Sequence, residues 1–344
     1  MGIYCEQGPA LLEQPKDVTL KKQKQRLNGL RTVRGHHGSL HQRPGQFKEQ
    51  LPGTIFIVGG WTPKDPSCPV ERFCPLYNEW RLMAPMPGRR GDVAVCALAG
   101  MIYTVGGRDD VTCVSNVEKY DPVTNEWSSE ASLSSPRSGV CVLEMDGYMY
   151  ALGGYDGTAC TNTVERFAPE LKSWTKLSPM RQSRTGAAAA MLDGYLYVMG
   201  GTDGDTPLSS VERFNPLDGM WQACAPMGTP RERPGCAVYL GCLYVAGGRD
   251  ELLLELSTVE KFDPYTLHWT PVPRMRNKRH QVSLLVFGER LLAVGGCDGT
   301  SNLRTIETYN PDTNTWRHFG SMKASHPGGQ GVLVKTYQND FLHL

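Results

Sequence analysis

The 344-residue chain lacks any apolar stretch approaching the roughly 18 residues of a membrane-spanning helix, so no segment reads as a bilayer span. It also lacks a Cys-x-x-Cys pair, and its eleven cysteines are odd in number. Several of them, Cys96, Cys141 and Cys236, sit in apolar runs where a thiol serves as a small hydrophobe. That usage argues against a secreted disulfide framework and for a reducing compartment. The chain has almost no net charge, +1, and hence no general attraction to nucleic acid or a membrane surface. The charge is nonetheless uneven, since residues 1–50 hold nine Lys/Arg against four Asp/Glu and leave the rest mildly acidic. Within them, Lys21-Lys22-Gln23-Lys24-Gln25-Arg26 has the composition of a nuclear-import or anionic-surface patch, but a solvated, disordered segment is the expectation. The opening residues Met1 to Glu6 lack the Ser/Thr of a myristoylation signal and no secretory leader follows, so a cytoplasmic location is expected.

What the chain has in plenty is glycine, 38 residues, and part of it is strictly periodic. Gly-Gly pairs begin at Gly59, Gly106, Gly153, Gly200, Gly247 and Gly295, in steps of 47, 47, 47, 47 and 48 residues. Trp80, Trp127, Trp174, Trp221, Trp269 and Trp316 follow the pairs by 21 residues, or 22 in the fifth case. A register held that tightly means one supersecondary unit repeated six times, at the period of propellers and solenoids.

The third repeat shows the unit. Short runs at Val140–Leu143, Tyr148–Leu152, Thr163–Phe167 and Trp174–Leu177 read as strands, and Asp146-Gly147 is a two-residue hairpin turn that needs positive φ. Phe167-Ala168-Pro169 recurs as Tyr120-Asp121-Pro122, Phe214-Asn215-Pro216, Phe262-Asp263-Pro264 and Tyr309-Asn310-Pro311, each proline ending a strand because it has no N–H for a ladder. Four antiparallel strands make a propeller blade. The glycine pairs are expected to permit close backbone approach and the tryptophans to pack between blades. The ends are complementary: one strand, Thr54–Val58, precedes Gly59 without a partner ahead of it, and one candidate, 331–336, follows Trp316. The expected fold is therefore all-β, a six-bladed propeller over 51–338 whose C-terminal strand completes the first blade, with tails at 1–50 and 339–344.

These features resemble the kelch repeat, a Gly-Gly pair after an apolar strand, then V-E-[RK]-[FY], then Trp. Val70-Glu71-Arg72-Phe73, Val117-Glu118-Lys119-Tyr120, Val164-Glu165-Arg166-Phe167, Val211-Glu212-Arg213-Phe214 and Val259-Glu260-Lys261-Phe262 carry the motif, with Ile306-Glu307-Thr308-Tyr309 departing slightly. The resemblance covers 53–337 and looks most like the kelch-like proteins, in which BTB and BACK domains precede the propeller. There the BTB domain binds a cullin scaffold and the propeller captures substrates for ubiquitylation. Some 50 residues precede the first blade here, too few for BTB or BACK. The resemblance thus implies the substrate-recognition half of a ubiquitin-ligase adaptor, with an actin- or cytoskeleton-binding scaffold as the alternative. A protein substrate or peptide degron, a BTB-kelch relative and actin are the partners it suggests.

Ten residues after each Trp stand Arg90, Arg137, Arg184, Arg231, Arg279 and finally His326. A group present in almost every copy serves the repeat, so these are expected to tie loop carbonyls of neighbouring blades and not to ring an anion. Positions that differ between blades are the better site candidates. Two residues past the first glycine of each pair stand Trp61, Arg108, Tyr155, Thr202, Arg249 and Cys297; eleven and twelve past each Trp stand Gly91/Asp92, Ser138/Gly139, Thr185/Gly186, Glu232/Arg233, His280/Gln281 and Pro327/Gly328. By the resemblance these loops form the substrate face, which selects Trp61, Arg108, Ser138, Tyr155, Arg233, Arg249 and His280 as partner-binding residues. Trp, Tyr and Arg are also the types enriched in binding hot spots. Asp156, Asp203 and Asp298, each followed by glycine, read as turn formers, and the arginines suggest an acidic, turn-forming peptide as partner.

No enzyme chemistry emerges. A copper radical oxidase would need tyrosines, two histidines and a partner cysteine near the axis, whereas His36, His37 and His41 lie ahead of the repeats and His268, His280, His318 and His326 are scattered. Only His280 and His326 share a register, without a carboxylate or thiolate partner, and ExxxDxxxH metal spacing is absent. No nucleophile paired with an acid stands out for a sialidase-like arginine cluster. The expectation is a binding module without metal or cofactor.

Overall fold

In a computed structural model, residues 53–60, 68–75 and 77–335 are described, and every regular element among them is a β-strand. The expected tails 1–50 and 339–344 lie outside the described residues. Three strands come first, β1 (Thr54–Val58), β2 (Val70–Cys74) and β3 (Glu79–Met83). Four follow as β4 (Ala94–Leu98), β5 (Met101–Val105), β6 (Val117–Asp121) and β7 (Glu126–Glu130), then β8 (Cys141–Met145), β9 (Tyr148–Leu152), β10 (Val164–Ala168) and β11 (Ser173–Leu177). The fourth set is β12 (Ala188–Leu192), β13 (Tyr195–Met199), β14 (Val211–Asn215) and β15 (Met220–Cys224); the fifth is β16 (Gly235–Tyr239), β17 (Cys242–Ala246), β18 (Val259–Asp263) and β19 (His268–Val272). Last come β20 (Ser283–Phe287), β21 (Arg290–Val294), β22 (Thr305–Asn310), β23 (Thr315–Ser321) and β24 (Gln330–Val334).

Each set of four is an antiparallel meander, and β24 joins β1–β3 to complete the first of six four-stranded blades. Its register runs from Thr54 opposite Val334 to Val58 opposite Gln330. The six first strands, β24, β4, β8, β12, β16 and β20, touch one another in ring order, so the propeller closes on itself. In the third blade β8 begins one residue later than the sequence pattern suggests and reaches Met145. The Asp146-Gly147 turn (φ +53° and +80°) is tight enough for Met145 to pair directly with Tyr148.

The core lies between blades. Ala94, Tyr103 and Val105 of the second blade pack on Met149, Ala151 and Phe167 of the third, and Ile55, Phe73 and Trp80 of the first on Leu285, Leu292 and Ile306 of the sixth. The tryptophans reinforce these contacts with a polar link: Trp174 Nε1 donates to Ala131 O of the preceding blade at 2.8 Å, and Trp127 Nε1 to Ala84 O at 3.0 Å. At Gly153, the close of β9, a β-carbon would stand 2.2 Å from Arg184 O of the next blade, so glycine is required by sterics as well as by φ +61°.

The recurrent arginines are structural, but the contact differs from the one expected. Arg137 is 0% exposed; its Nη1 donates to Gly153 O and Thr163 O, both at 2.9 Å, and its Nη2 to Glu165 Oε1 at 2.7 Å, all within its own blade. It is the backbone that crosses to the neighbour, with Arg137 N–H donating to Val114 O and Arg137 O accepting from Gly107 N–H. A guanidinium at the head of the first strand spans only to the second and third, because its planar fork is filled there by two carbonyls and a carboxylate. In the first blade His326 takes the place, its Nδ1 2.9 Å from Gly59 O and Nε2 3.2 Å from Glu71 Oε1. Burial pushes the Glu71 carboxyl up, but the His326 ring and the N–H groups of Ala324 and Lys323 outweigh it and hold it below the usual range.

Candidate recognition face at the channel mouth

One short segment is repeated ahead of each first strand, and it builds the mouth of the channel. The buried arginine, or His326, anchors it. In five blades the next residue bridges to the loop after the second strand: Gly91 to Arg108, Ser138 to Tyr155, Thr185 to Thr202, Glu232 to Arg249 and His280 to Cys297. The residue after that faces the axis with positive φ in every blade, at Asp92 (+52°), Gly139 (+60°), Gly186 (+60°), Arg233 (+53°), Gln281 (+53°) and Gly328 (+72°). Their backbones form a hydrogen-bonded collar, in which Gly139 N–H donates to Asp92 O, Gly186 N–H to Gly139 O, Arg233 N–H to Gly186 O and Gln281 N–H to Arg233 O.

Three blades satisfy that left-handed position with glycine, while Asp92, Arg233 and Gln281 accept strain of about 1 kcal/mol each. The three side chains meet. Arg233 Nη1 and Nη2 donate to Asp92 Oδ1 and Oδ2, the latter at 2.9 Å, and Gln281 Nε2 donates to Asp92 Oδ1 at 2.9 Å. The second and fifth blades are opposite in a ring of six, so this pair spans the channel diameter. Burial pushes the Asp92 carboxyl up, but Arg233, with help from Arg108 and Gln281, brings it below the usual carboxylate range.

These three residues, a latch across the channel, line both a cavity of about 180 Å³ among the first strands and a wider vestibule of about 620 Å³. Into the vestibule the structure brings Arg108, Arg233, Arg249 and His280 of the expected site residues, with Asp109 and Asp110. Arg249 Nε donates to Glu255 Oε1 at 3.2 Å, and its terminal nitrogens have no hydrogen-bond partner among the described residues. Arg108 is exposed and has no ion-pair partner among the described residues. His280 is 5% exposed, with Nδ1 3.5 Å from Glu255 Oε1. Burial, then the positive charges of Arg249 and Arg233, pull its imidazole down to about 4 against the opposing pull of Glu255, so it is neutral at pH 7.

Ser138 and Tyr155 are not brought to the vestibule. Ser138 is 7% exposed and exchanges backbone hydrogen bonds with Tyr155, whose hydroxyl donates to Gly157 O at 3.0 Å. Trp61 lies outside the described residues. The loop aspartates are turn formers as expected: Asp156 Oδ1 accepts from Thr158 and Ala159 N–H at 2.7 and 2.9 Å, and these donors hold its carboxyl low. Asp92 and Gln281 stand at the blade-variable positions but outside the residues selected from the sequence, and Glu255 is also outside that selection; the signal for the first two is a non-glycine at a position where three of six repeats carry glycine. Among the described residues no group of three or more His, Cys, Asp or Glu is arranged to hold a metal ion, and no helix is long and apolar enough to cross a membrane.

Comparison with known proteins agrees with this architecture. The family model for the KLHDC2/KLHL20/DRC7 Kelch-repeats domain matches residues 49–231, and the Kelch motif matches 230–276 and 278–323. Kelch-like protein 4 of Homo sapiens is 35% identical over 77 residues, 22% of this chain and 11% of that protein. Kelch-like protein 36 of Rattus norvegicus is 30% identical over 77 residues, again 22% of this chain and 13% of that protein. The chain thus matches only a small part of the length of these relatives. The solved structure of YjhT shares the fold at 16% identity with a TM-score of 0.68, covering 82% of this chain and 99% of that one.

Proposed function

Because the chain belongs to the kelch-repeat family and its repeats form a protein-interaction propeller, we propose that it captures an acidic segment of a partner protein in the vestibule at the channel mouth. The observation that carries this reading is the surplus of uncommitted donors there. Arg108 and the terminal nitrogens of Arg249 have no protein acceptor among the described residues, whereas Asp92 and Asp109 are already engaged. A guanidinium with a free fork takes a carboxylate in two parallel hydrogen bonds. Of the carboxylates lining the vestibule, Asp110 alone is uncommitted among the described residues, against the free donors of both Arg108 and Arg249. The role is binding without catalysis, in the manner of the substrate-recognition propeller of a cullin-RING ligase adaptor in the cytoplasm.

The test is an affinity pulldown from cells with proteasome inhibition, comparing the chain with its Arg108→Ala/Arg249→Ala variant. Partners captured by the chain are expected to be lost with the variant while its melting temperature stays within a few degrees, since surface substitutions of this kind cost little stability. Partners retained equally by both would move recognition to another face, and a collapsed melting temperature would make the arginines scaffold.

A further inference from the structure

The loops around the mouth are not alike. Three of them continue from the Gly-Gly pair as Tyr155-Asp156-Gly157, Thr202-Asp203-Gly204 and Cys297-Asp298-Gly299, a compact polar turn. The loops of the second and fifth blades depart, as Arg108-Asp109-Asp110-Val111 and Arg249-Asp250-Glu251-Leu252-Leu253-Leu254. The fifth is the loop that carries the one residue by which the repeat lengthens to 48, because Arg249 bridges to Glu255 where Tyr155 bridges to Cys160. The inserted length is spent on apolar exposure: Leu252, Leu253 and Leu254 are 77%, 57% and 52% exposed, and Val111 across the channel is 78% exposed.

The leucines are held out, not left loose. Asp250 Oδ1 accepts from Leu252 N–H at 2.9 Å and Leu254 N–H at 3.0 Å, and Asp250 O accepts from Leu253 N–H at 2.9 Å. Leu253 sits at φ +57°, a conformation that costs a branched residue about 1 kcal/mol and that glycine would take freely. Three consecutive exposed leucines add nothing to the core and form one contiguous apolar patch, which a covering surface would stabilise.

We propose that the loop 250–254 is the apolar half of the same recognition face, and that the partner segment carries apolar side chains within a few residues of its acidic one. This rests on the reading of the vestibule as an acidic-segment site. The acidic side chain pairs with Arg249, Arg108 adds positive charge from the opposite blade, and the chain continuing past Arg249 lays its apolar residues on Leu252 to Leu254.

The experiment is a selection of random displayed peptides on the full chain, on Arg108→Ala/Arg249→Ala, and on Leu252→Ser/Leu253→Gly/Leu254→Ser, the glycine preserving the loop's backbone. The full chain is expected to enrich peptides with an acidic position and an apolar position at fixed spacing. The leucine variant is expected to lose the apolar preference and keep the acidic one, and to bind the best peptide at least about tenfold more weakly. Should the triple variant fold poorly, Leu252→Ser alone tests the same point, Leu252 being the most exposed of the three. Acidic peptides enriched without an apolar position, or an apolar position kept by the leucine variant, would overturn this inference and leave the vestibule reading intact. An acidic preference absent from the full chain, or unaffected by loss of both arginines, would overturn both. A full chain that sediments as a dimer and a leucine variant that sediments as a monomer would make the patch a self-association surface and overturn the proposal.

Discussion

The recurrent buried guanidiniums fill their terminal nitrogens, although Nε of Arg90, Arg137 and Arg279 has no partner among the described residues, and His280 is the buried titratable ring that lacks comparable partners. The guanidinium of Arg137 is enclosed by two carbonyls and Glu165, whereas the His280 ring is buried beside Arg249 and Arg233 with Nδ1 outside hydrogen-bond reach of any described group. Its folded value, about 4, lies below the ordinary 6.5, so the folded state binds fewer protons than the unfolded chain between those values. Stability from this group is fully present above about pH 6.5 and is lost as pH falls toward 4, by about 3 kcal/mol at pH 4. Thermal melts from pH 7 to pH 4 are expected to show a shallower decline for His280→Gln than for the unaltered chain. Parallel declines would mean that the ring takes up its proton in the folded state, with Glu255 as its counter-charge.

At the scale of the element, the first and last described strands meet in one blade. β24 supplies the first strand of the first blade, its five pairs with β1 cover an edge that would otherwise lie open, and His326 and the turn before it satisfy Glu71. Stopping the chain after Gly329 removes β24 and leaves the first blade with three strands and an open edge on β1. The expected outcome is loss of the cooperative melt and exposure of Ile55 and Ile57, read as aggregation, rather than a trimmed but folded product. A truncated chain that still melted cooperatively would show that the ring tolerates an open first blade. This closure was legible in the sequence because the strand complement at the two ends, Thr54–Val58 and the run after Gly329, is complementary within a strict repeat. The repeat also disclosed the packing of the tryptophans between blades and the Asx turns, since both follow from local chemistry copied blade after blade, but not the Nε1 hydrogen bonds to the preceding blade. The fate of Ser138 and Tyr155 was not legible: their offsets match those of Glu232 and Arg249, but Ser138 is short and buried and Tyr155 turns its hydroxyl back on Gly157. Offset places a residue on a face; side-chain length and local partners decide whether it reaches the vestibule.

Across the whole molecule, the pair Asp92–Arg233 joins residues 141 apart in sequence and three blades apart in the ring. Phase within the repeat brings both to the axis, but only the opposition of the second and fifth blades lets a carboxylate and a guanidinium meet across it, and that is a property of having six blades. The latch has a consequence for recognition. Each side chain is about a quarter exposed, 27% for Arg233 and 24% for Asp92, so the pair contributes on the order of 1 kcal/mol and stays open to exchange. An acidic side chain entering the vestibule meets Arg233 already occupied by an internal carboxylate, and part of the binding energy goes to displacing it. Asp92→Asn keeps the shape and removes the competing charge. It is expected to raise affinity for an acidic peptide selected on this face by about fivefold, the equivalent of roughly 1 kcal/mol, with a small fall in melting temperature. Adding Arg233→Ala is expected to cancel the gain, because the benefit depends on the freed guanidinium; an additive double variant would show that Asp92 acts through general charge alone. Unchanged affinity in Asp92→Asn would mean that the ligand stops at Arg108 and Arg249 and never reaches the collar, making the latch a tie that holds opposite blades together.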